Sequence, residues 1–407
     1  MRKKIARLLI TAAALLLSAS LPAASVQASG GTEGKEKLVV GYYANWSAYD
    51  GYTPKSLPAD RLTHINYAFA KIDPATGRLA MANPDIDGKN FQELGELKRK
   101  YPGLRVLISV GGWDYSGQFS AVAATEQGRE VFAQSCAEFV AEHGLDGVDL
   151  DWEYPVSGGP AGNGSSPADR ENFTRLLDAV RKKLDRQGAA DGKRYELTIA
   201  GAASASYLKK IEPVKVASLV DFIFGMAYDM HGPWDGFSDL SAPLSQPSGC
   251  SPQYKNSVAD GIAAYDAAGV PRDKLVLGMP FYGYVYEGVN VQETAPVGAD
   301  VSAGKLPGMY SPFRAARSMG FDAIRSRYLS DPSMKRMFHR EAAVPVLYGD
   351  SVFVSYEDPA SITAKAAFAA GQGLAGVGIW ELSHNRSGEL LESALAGLRA
   401  GNSSLGR

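Results

Sequence analysis

Short runs rich in Val, Ile, Leu, Phe and Tyr recur along the chain, and between them lie stretches whose apolar residues return every three or four positions. The first pattern predicts eight strands: KLVVGYYANW from Lys37, LTHINYAFA from Leu62, RVLISVGGW from Arg105, GVDLDWEY from Gly147, YELTIAGAA from Tyr195, VDFIFGMAYD from Val220, KLVLGMPFYG from Lys274 and LAGVGIWEL from Leu374. The second predicts helices in NFQELGELKRKY, REVFAQSCAEFVAEHG, ADRENFTRLLDAVRKKLDRQG, SVADGIAAYDAAG and SITAKAAFAAGQG. Strands alternating with helices predict parallel βα units, and eight such units predict a closed (β/α)8 TIM barrel of the α/β class.

The interval between Gly283 and Ser361 is too long to be a bare connection. It holds a hairpin-like piece, AVPVLYGDSVFVSYED, and a helical piece, YSPFRAARSMGF, which predict a small α+β insertion domain on the upper rim after the seventh strand. The expected organisation is a leader at 1–28, a flexible lead-in at 29–36, barrel at 37–284, insertion at 285–357, barrel again at 358–398 and a tail at 399–407.

The leader is expected because Arg2, Lys3, Lys4 and Arg7 precede the short apolar run LLITAAALLLSASLP and the small-residue site VQA ending at Ala28. That is the pattern of a secretory signal peptide, so the mature chain is expected to be extracellular. No later run is long and apolar enough to span a bilayer. The chain is 45% hydrophobic and 21% charged, with a formal net charge of -2 and no basic block. Neither nucleic acid nor a membrane is therefore an expected partner, and a monomer is expected. Cys136 sits in a helical pattern and Cys250 in the loop-like PSGCSP; export permits a disulfide between them, and two unpaired thiols are the favoured alternative. The five His are scattered, so no metal site is expected, and no motif calls for a cofactor.

The fourth strand poses a chemical question. In DGVDLDWEYP, Asp149, Asp151 and Glu153 occupy alternate residues, so all three carboxylates share one face. Carboxylates stacked in this way repel one another and resist burial, and no basic residue on the strand neutralises them. They should titrate as a coupled set, with Glu153 at the strand's C-terminal end kept protonated near neutral pH, as a general acid needs. An interior ion-pair network is the structural alternative. Aromatic residues gather at the same strand ends: Trp46, Trp113, Trp152, Trp234 and Trp380, with Tyr42, Phe69, Tyr154, Tyr228 and Tyr282. Such rings stack on the apolar faces of sugars, although any one of them could be packing. Trp152, whose parity points outward, is expected to be structural.

DGVDLDWEYP resembles the D-x-x-D-x-D-x-E signature of the family 18 glycoside hydrolases, the chitinases, through Asp146, Asp149, Asp151 and Glu153. SVGGW at Ser109, MAYDMHG at Met226, LGMPFYG and GIWELS resemble further strand-end elements of that family, so the resemblance runs from about Leu38 to Leu395. It implies that the insertion is a chitin-insertion domain and that the partners are chitin and chito-oligosaccharides. It also implies retaining, substrate-assisted hydrolysis of β-1,4 bonds between N-acetylglucosamine units through an oxazolinium intermediate. In that scheme Glu153 is the acid and Asp151 supports the acetamido group. Asp149 holds the proton shared with Asp151, and Tyr228 orients the acetamido oxygen. Tyr42, Phe69, Gly112, Trp113, Tyr154, Met226, Asp229, Tyr282 and Trp380 are the implied substrate-binding residues, with Trp380 as the floor. Asp146 has the opposite parity and is expected to be structural, and Ser109 is expected to act from behind the carboxylates. The Glu153 carboxyl is expected within a hydrogen bond, or one water, of Asp151. The resemblance further implies cis peptide bonds at Ala68-Phe69, Glu153-Tyr154 and Trp380-Glu381.

Two departures stand out. After PFYG many chitinases carry Arg and an aromatic, where this chain has Tyr284, Val285 and Tyr286. Many also carry an Asp soon after the eighth-strand Trp-Glu, where Ser383, His384 and Asn385 stand. Both bear on subsites and chain-length preference. A deep wall built by the insertion would favour exo or processive action. The competing readings are a sugar-binding lectin, which usually lacks the acid, and a family member acting on N-glycans or peptidoglycan.

Overall fold

The computed structural model describes residues 36–249, 256–291 and 301–404. The leader and Cys250 lie outside them, while Cys136 is buried. From Lys37 onward the chain forms one compact unit.

Eight strands run parallel and close on themselves: β1 (Leu38–Ala44), β2 (His64–Ile72), β4 (Arg105–Gly111), β5 (Gly147–Asp151), β6 (Glu196–Ala202), β7 (Ile223–Met226), β8 (Leu275–Pro280) and β14 (Gly376–Trp380). Pairing of β1 with both β2 and β14 closes the barrel, and the short β3 (Leu79–Met81) adds to β2 antiparallel. The predicted α/β barrel is the observed one. The helices Pro84–Lys100, Glu126–Glu142, Asp169–Asp191, Val258–Ala267 and Pro359–Gly371 cover the five predicted helical patterns, each shifted by a few residues.

Strand parity sorts the side chains into two layers. Leu150 and Trp152 point outward, where Trp152 stacks on Phe119 at 5.4 Å and meets Phe173 edge-on. Tyr42, Phe224, Val40 and Val276 point inward and fill the barrel. Asp149 sits in this inner layer.

A second, antiparallel sheet has the order β10-β9-β13-β12-β11, with β9 (Tyr282–Glu287), β10 (Ala315–Gly320), β11 (Lys335–His339), β12 (Val344–Gly349) and β13 (Val352–Ser355). The run predicted as a single seventh strand breaks after Pro280: β8 ends there and β9 joins the other sheet. The expected β12–β13 hairpin forms, with Asp350 and Ser351 at φ 44° and 61° in its turn. The expected helix in YSPFRAARSMGF is instead β10, because pairing with the edge of β9 satisfies its backbone and overrides local propensity. Alternation along β9 puts Tyr282, Tyr284 and Tyr286 on one face of this sheet.

Candidate active site

The register around β5 places the carboxylates. Ser109 on β4 and Thr198 on β6 lie level with Asp149, and Gly111 lies level with Asp151. Asp149 is fully buried and accepts hydrogen bonds from the hydroxyls of Tyr42 at 2.7 Å, Ser109 at 2.8 Å and Thr198 at 2.7 Å. Burial still raises its pKa, against the pull of these donors. Asp151, one layer higher, is also buried, and its Oδ1 has no hydrogen-bond partner. Burial pushes it well above the ordinary carboxylate range, and repulsion from Glu153 and Asp149 adds to the effect. Glu153 stands at the mouth and is pushed up to about 7, first by burial, with the Tyr154 hydroxyl opposing and the charges of Asp229 and Asp114 adding to the rise.

A cleft of about 600 Å³ opens over these groups, lined by Asp151, Glu153, Tyr228, Asp229 and a set of aromatic rings. Trp380, Phe69 and Trp46 form a stacked series on one side, with centroids 5.6 and 6.3 Å apart. Trp46, Trp113 and Trp234 are 45%, 54% and 61% exposed, so their rings are free to meet a ligand. Asp229, with φ 54°, faces the open cleft and accepts from the hydroxyls of Tyr282 at 2.5 Å and Tyr284 at 2.9 Å. The surrounding walls exclude enough water to raise its pKa, against those two donors. A branch of about 260 Å³ leads off past Asp229 and Trp380 and is lined by Tyr284, Ser318 and His384. His384 turns back to Glu381, with Nε2 3.2 Å from Oε1, and Asn385 donates to Asp322 at 3.0 Å.

Among the residues expected to bind substrate, Phe69, Trp113, Tyr154, Met226, Asp229, Tyr282 and Trp380 line the cleft, as do Asp151, Glu153 and Tyr228. Tyr42 does not. It is buried beneath the carboxylates, edge-on to Phe224 at 4.8 Å, and its hydroxyl is spent on Asp149. Gly112 is also off the surface of the cleft. Its φ is +69°, and a Cβ there would lie 2.5 Å from the Phe69 ring, so its smallness seats that ring. No hydrogen bond links Asp149 to Asp151; the oxygens of Asp149 are taken by the hydroxyls of Tyr42, Ser109 and Thr198. Nor is there a direct hydrogen bond between Asp151 and Glu153, although their charges interact. Asp146 lies at the far end of β5, accepting from Val106 N–H and Lys98, each at 2.8 Å. The peptide bonds Ala68-Phe69, Glu153-Tyr154 and Trp380-Glu381 are cis.

Several site residues escaped the sequence reading. Thr198 was a lone polar residue in an apolar strand. Asp114, Tyr115, Ser204, Ser206 and Asn256 come from connections with no periodicity to mark them. Among the described residues, no group of three or more His, Cys, Asp or Glu could hold a metal ion, and no helix is long and apolar enough to cross a membrane.

The arrangement can donate a proton from Glu153 beside a second buried carboxyl, over an aromatic floor. Comparison with known proteins agrees with that chemistry. Residues 38–385 match the family model described as glycosyl hydrolases family 18. Chitinase A1 of Niallia circulans is 37% identical over 95% of this chain, which spans only 62% of that relative's length. A family 18 N-acetylglucosaminidase from Paenibacillus barengoltzii superposes with a TM-score of 0.78 at 34% identity, covering 89% of this chain and all of that one. Chitinase ChiA74 from Bacillus thuringiensis superposes with a TM-score of 0.80 at 31% identity, covering 90% of this chain and 70% of that one. A family model matched over nearly the whole barrel, on a chain that carries both carboxyls in this geometry, means that the protein belongs to the glycosyl hydrolases of family 18.

Proposed function

We propose that this chain is a secreted chitinase that hydrolyses β-1,4 bonds between N-acetylglucosamine units with retention of configuration. The observation that carries the reading is Glu153, with its pKa pushed up to about 7 at the mouth of an aromatic cleft directly above the buried Asp151. Below that pH Glu153 holds the proton that the glycosidic oxygen must receive as the bond breaks. The sugar being cleaved rests on Trp380. Its acetamido oxygen attacks the anomeric carbon, positioned by Tyr228, and the leaving chain takes the proton of Glu153. Asp151 accepts the acetamido N–H and stabilises the positive charge of the oxazolinium ring. Water, deprotonated by Glu153, then opens the ring, and two displacements restore the original configuration. Asp149, one layer below, takes up the proton that it shares with Asp151.

The relatives' names support chitin or its oligomers as substrate, and the exposed Trp46, Trp113 and Trp234 give a sugar chain rings to stack on beyond Trp380. A lectin reading gains nothing from the site, since the acid is present and tuned. The residues at 1–28 are proposed to be removed on export, with a monomer as the working form.

The test compares acetylated and fully deacetylated oligomers of equal length. The acetylated chain should be cleaved and the deacetylated one resist, because a free amine cannot form the ring. Equal rates would mean that a protein carboxylate attacks instead. A thiazoline mimic of the intermediate should inhibit competitively and bind more tightly than the substrate sugar. Glu153→Gln should lower turnover by about 10²-fold or more while leaving binding nearly intact, and Asp151→Asn should cost a comparable factor.

A further inference from the structure

β5 ends at Asp151, so the backbone of Glu153 lies beyond the ladder that would otherwise satisfy and fix it. Two side chains from two different connections take over that task. Ser116, in the turn after β4 and completely buried, accepts a hydrogen bond from Glu153 N–H at 2.9 Å. The Ser116 hydroxyl in turn points toward Gly112 C=O at 2.7 Å and Asp151 C=O at 3.0 Å. On the other side, the Asn163 side chain donates from Nδ2 to Glu153 C=O at 3.0 Å. Asn163 belongs to the Gly- and Ser-rich connection after β5, and that connection is itself fastened. Its Gly164 N–H donates to Gly117 C=O at 3.3 Å, next to Ser116. The buried Asp169 accepts from Ser166 N–H at 2.7 Å, Val156 N–H at 3.3 Å and the Ser120 hydroxyl at 2.8 Å. Gly159, with φ +78°, passes so close to Glu153 C=O that a Cβ would lie 2.0 Å from its oxygen.

We propose that Ser116 and Asn163 are positioning residues for the proton donor: by holding the N–H and C=O of Glu153 from opposite sides, they aim its carboxyl at the glycosidic oxygen. This rests on reading Glu153 as the acid. Neither residue lines the cleft, and neither moves a proton. Their effect is geometric, and displacement of a catalytic group by about 1 Å can cost on the order of 10²-fold in rate.

The two substrates that separate this role from a general structural one differ in their leaving group. A chito-oligosaccharide needs its leaving oxygen protonated. A dinitrophenyl chito-oligoside releases dinitrophenolate, which is stable as an anion, and does not. Ser116→Ala and Asn163→Ala should each lower kcat/KM, which reads the steps up to departure of the leaving group, by about 10-fold or more on the oligosaccharide, while kcat/KM on the dinitrophenyl substrate falls far less. Ser116→Thr, which keeps the hydroxyl, should restore the oligosaccharide rate. Glu153→Gln, measured alongside, should show the same split on a larger scale. If it shows none, the acid assignment itself fails. If Glu153→Gln splits the substrates but Ser116→Ala and Asn163→Ala lose both equally, or neither, the positioning role is overturned. Should Ser116→Ala fold poorly, Asn163→Ala, at a half-buried loop position, carries the same test alone.

Discussion

Glu153 has neighbours that pull its proton affinity in opposite directions, and each can be removed separately. The Tyr154 hydroxyl lowers its pKa, and the negative charge of Asp229 raises it. With the acid at about 7, kcat/KM should fall as pH rises through that value, because the proton needed by the leaving oxygen is then lost. Asp229→Asn removes a nearby anion, ionisation becomes easier, and the descending limb should move to lower pH. Tyr154→Phe removes a donor to the carboxylate, and the limb should move to higher pH. The pH dependence of kcat/KM on a soluble oligosaccharide reads both, and a shift of both variants in the same direction would refute the assignment. Much of this site was legible because the residues alternate: a period of two puts Asp149, Asp151 and Glu153 on one face whatever surrounds them. Parity reports the face but not the depth along the barrel. That is why Tyr42 looked like a cleft residue when it belongs to the layer of Asp149.

Between elements, the second sheet is tied to the barrel by ionic contacts at one short join. Glu357 follows β13, and Lys365 lies on the helix Pro359–Gly371; Nζ meets the two carboxylate oxygens at 2.6 and 2.7 Å, with both groups buried. Next to them, Asp358 caps the same helix through Ser361 N–H and pairs with Arg336 of β11. Breaking a buried pair from one side leaves an uncompensated charge. Lys365→Met should therefore cost about 3–5 kcal/mol in denaturant unfolding. Adding Glu357→Leu should recover most of that loss, since the stranded charge goes with it. A double variant as unstable as the single one would mean that the pair's value lies in its hydrogen-bond geometry. Elements whose pattern is set by their own burial were readable from sequence, as with the eight barrel strands. Ala315–Gly320 was not, because AARSMG carries no strand alternation and becomes a strand only when the edge of β9 is offered to it.

For the molecule as a whole, the same carboxyls that equip the cleft set a cost on folding. Asp149, Asp151 and Glu153 all have raised pKa values, with burial as the first cause, and Asp239 is pushed up to about 6 in the same way. Each therefore keeps its proton in the folded state to a higher pH than in the unfolded chain. Their contribution to stability is complete below the unfolded values, near about 4, and is lost as pH rises through the folded ones, because ionisation must then occur against burial. Carboxylates shifted the other way, such as Asp73, Glu138, Glu287 and Glu341, stabilise above their unfolded values, but they lie at the surface, where water and salt screen them. The melting temperature should consequently be highest in mildly acidic buffer and decline toward pH 8. Glu153→Gln, which keeps the shape and removes the charge, should flatten that decline: it should melt a few degrees above the parent at pH 8 and much closer to it at pH 5. Thermal unfolding across that range, without ligand, reads the difference. A variant that loses stability equally at both ends would show that Glu153 is ionised at no cost, so that its carboxyl has no raised proton affinity and is not tuned to act as the acid.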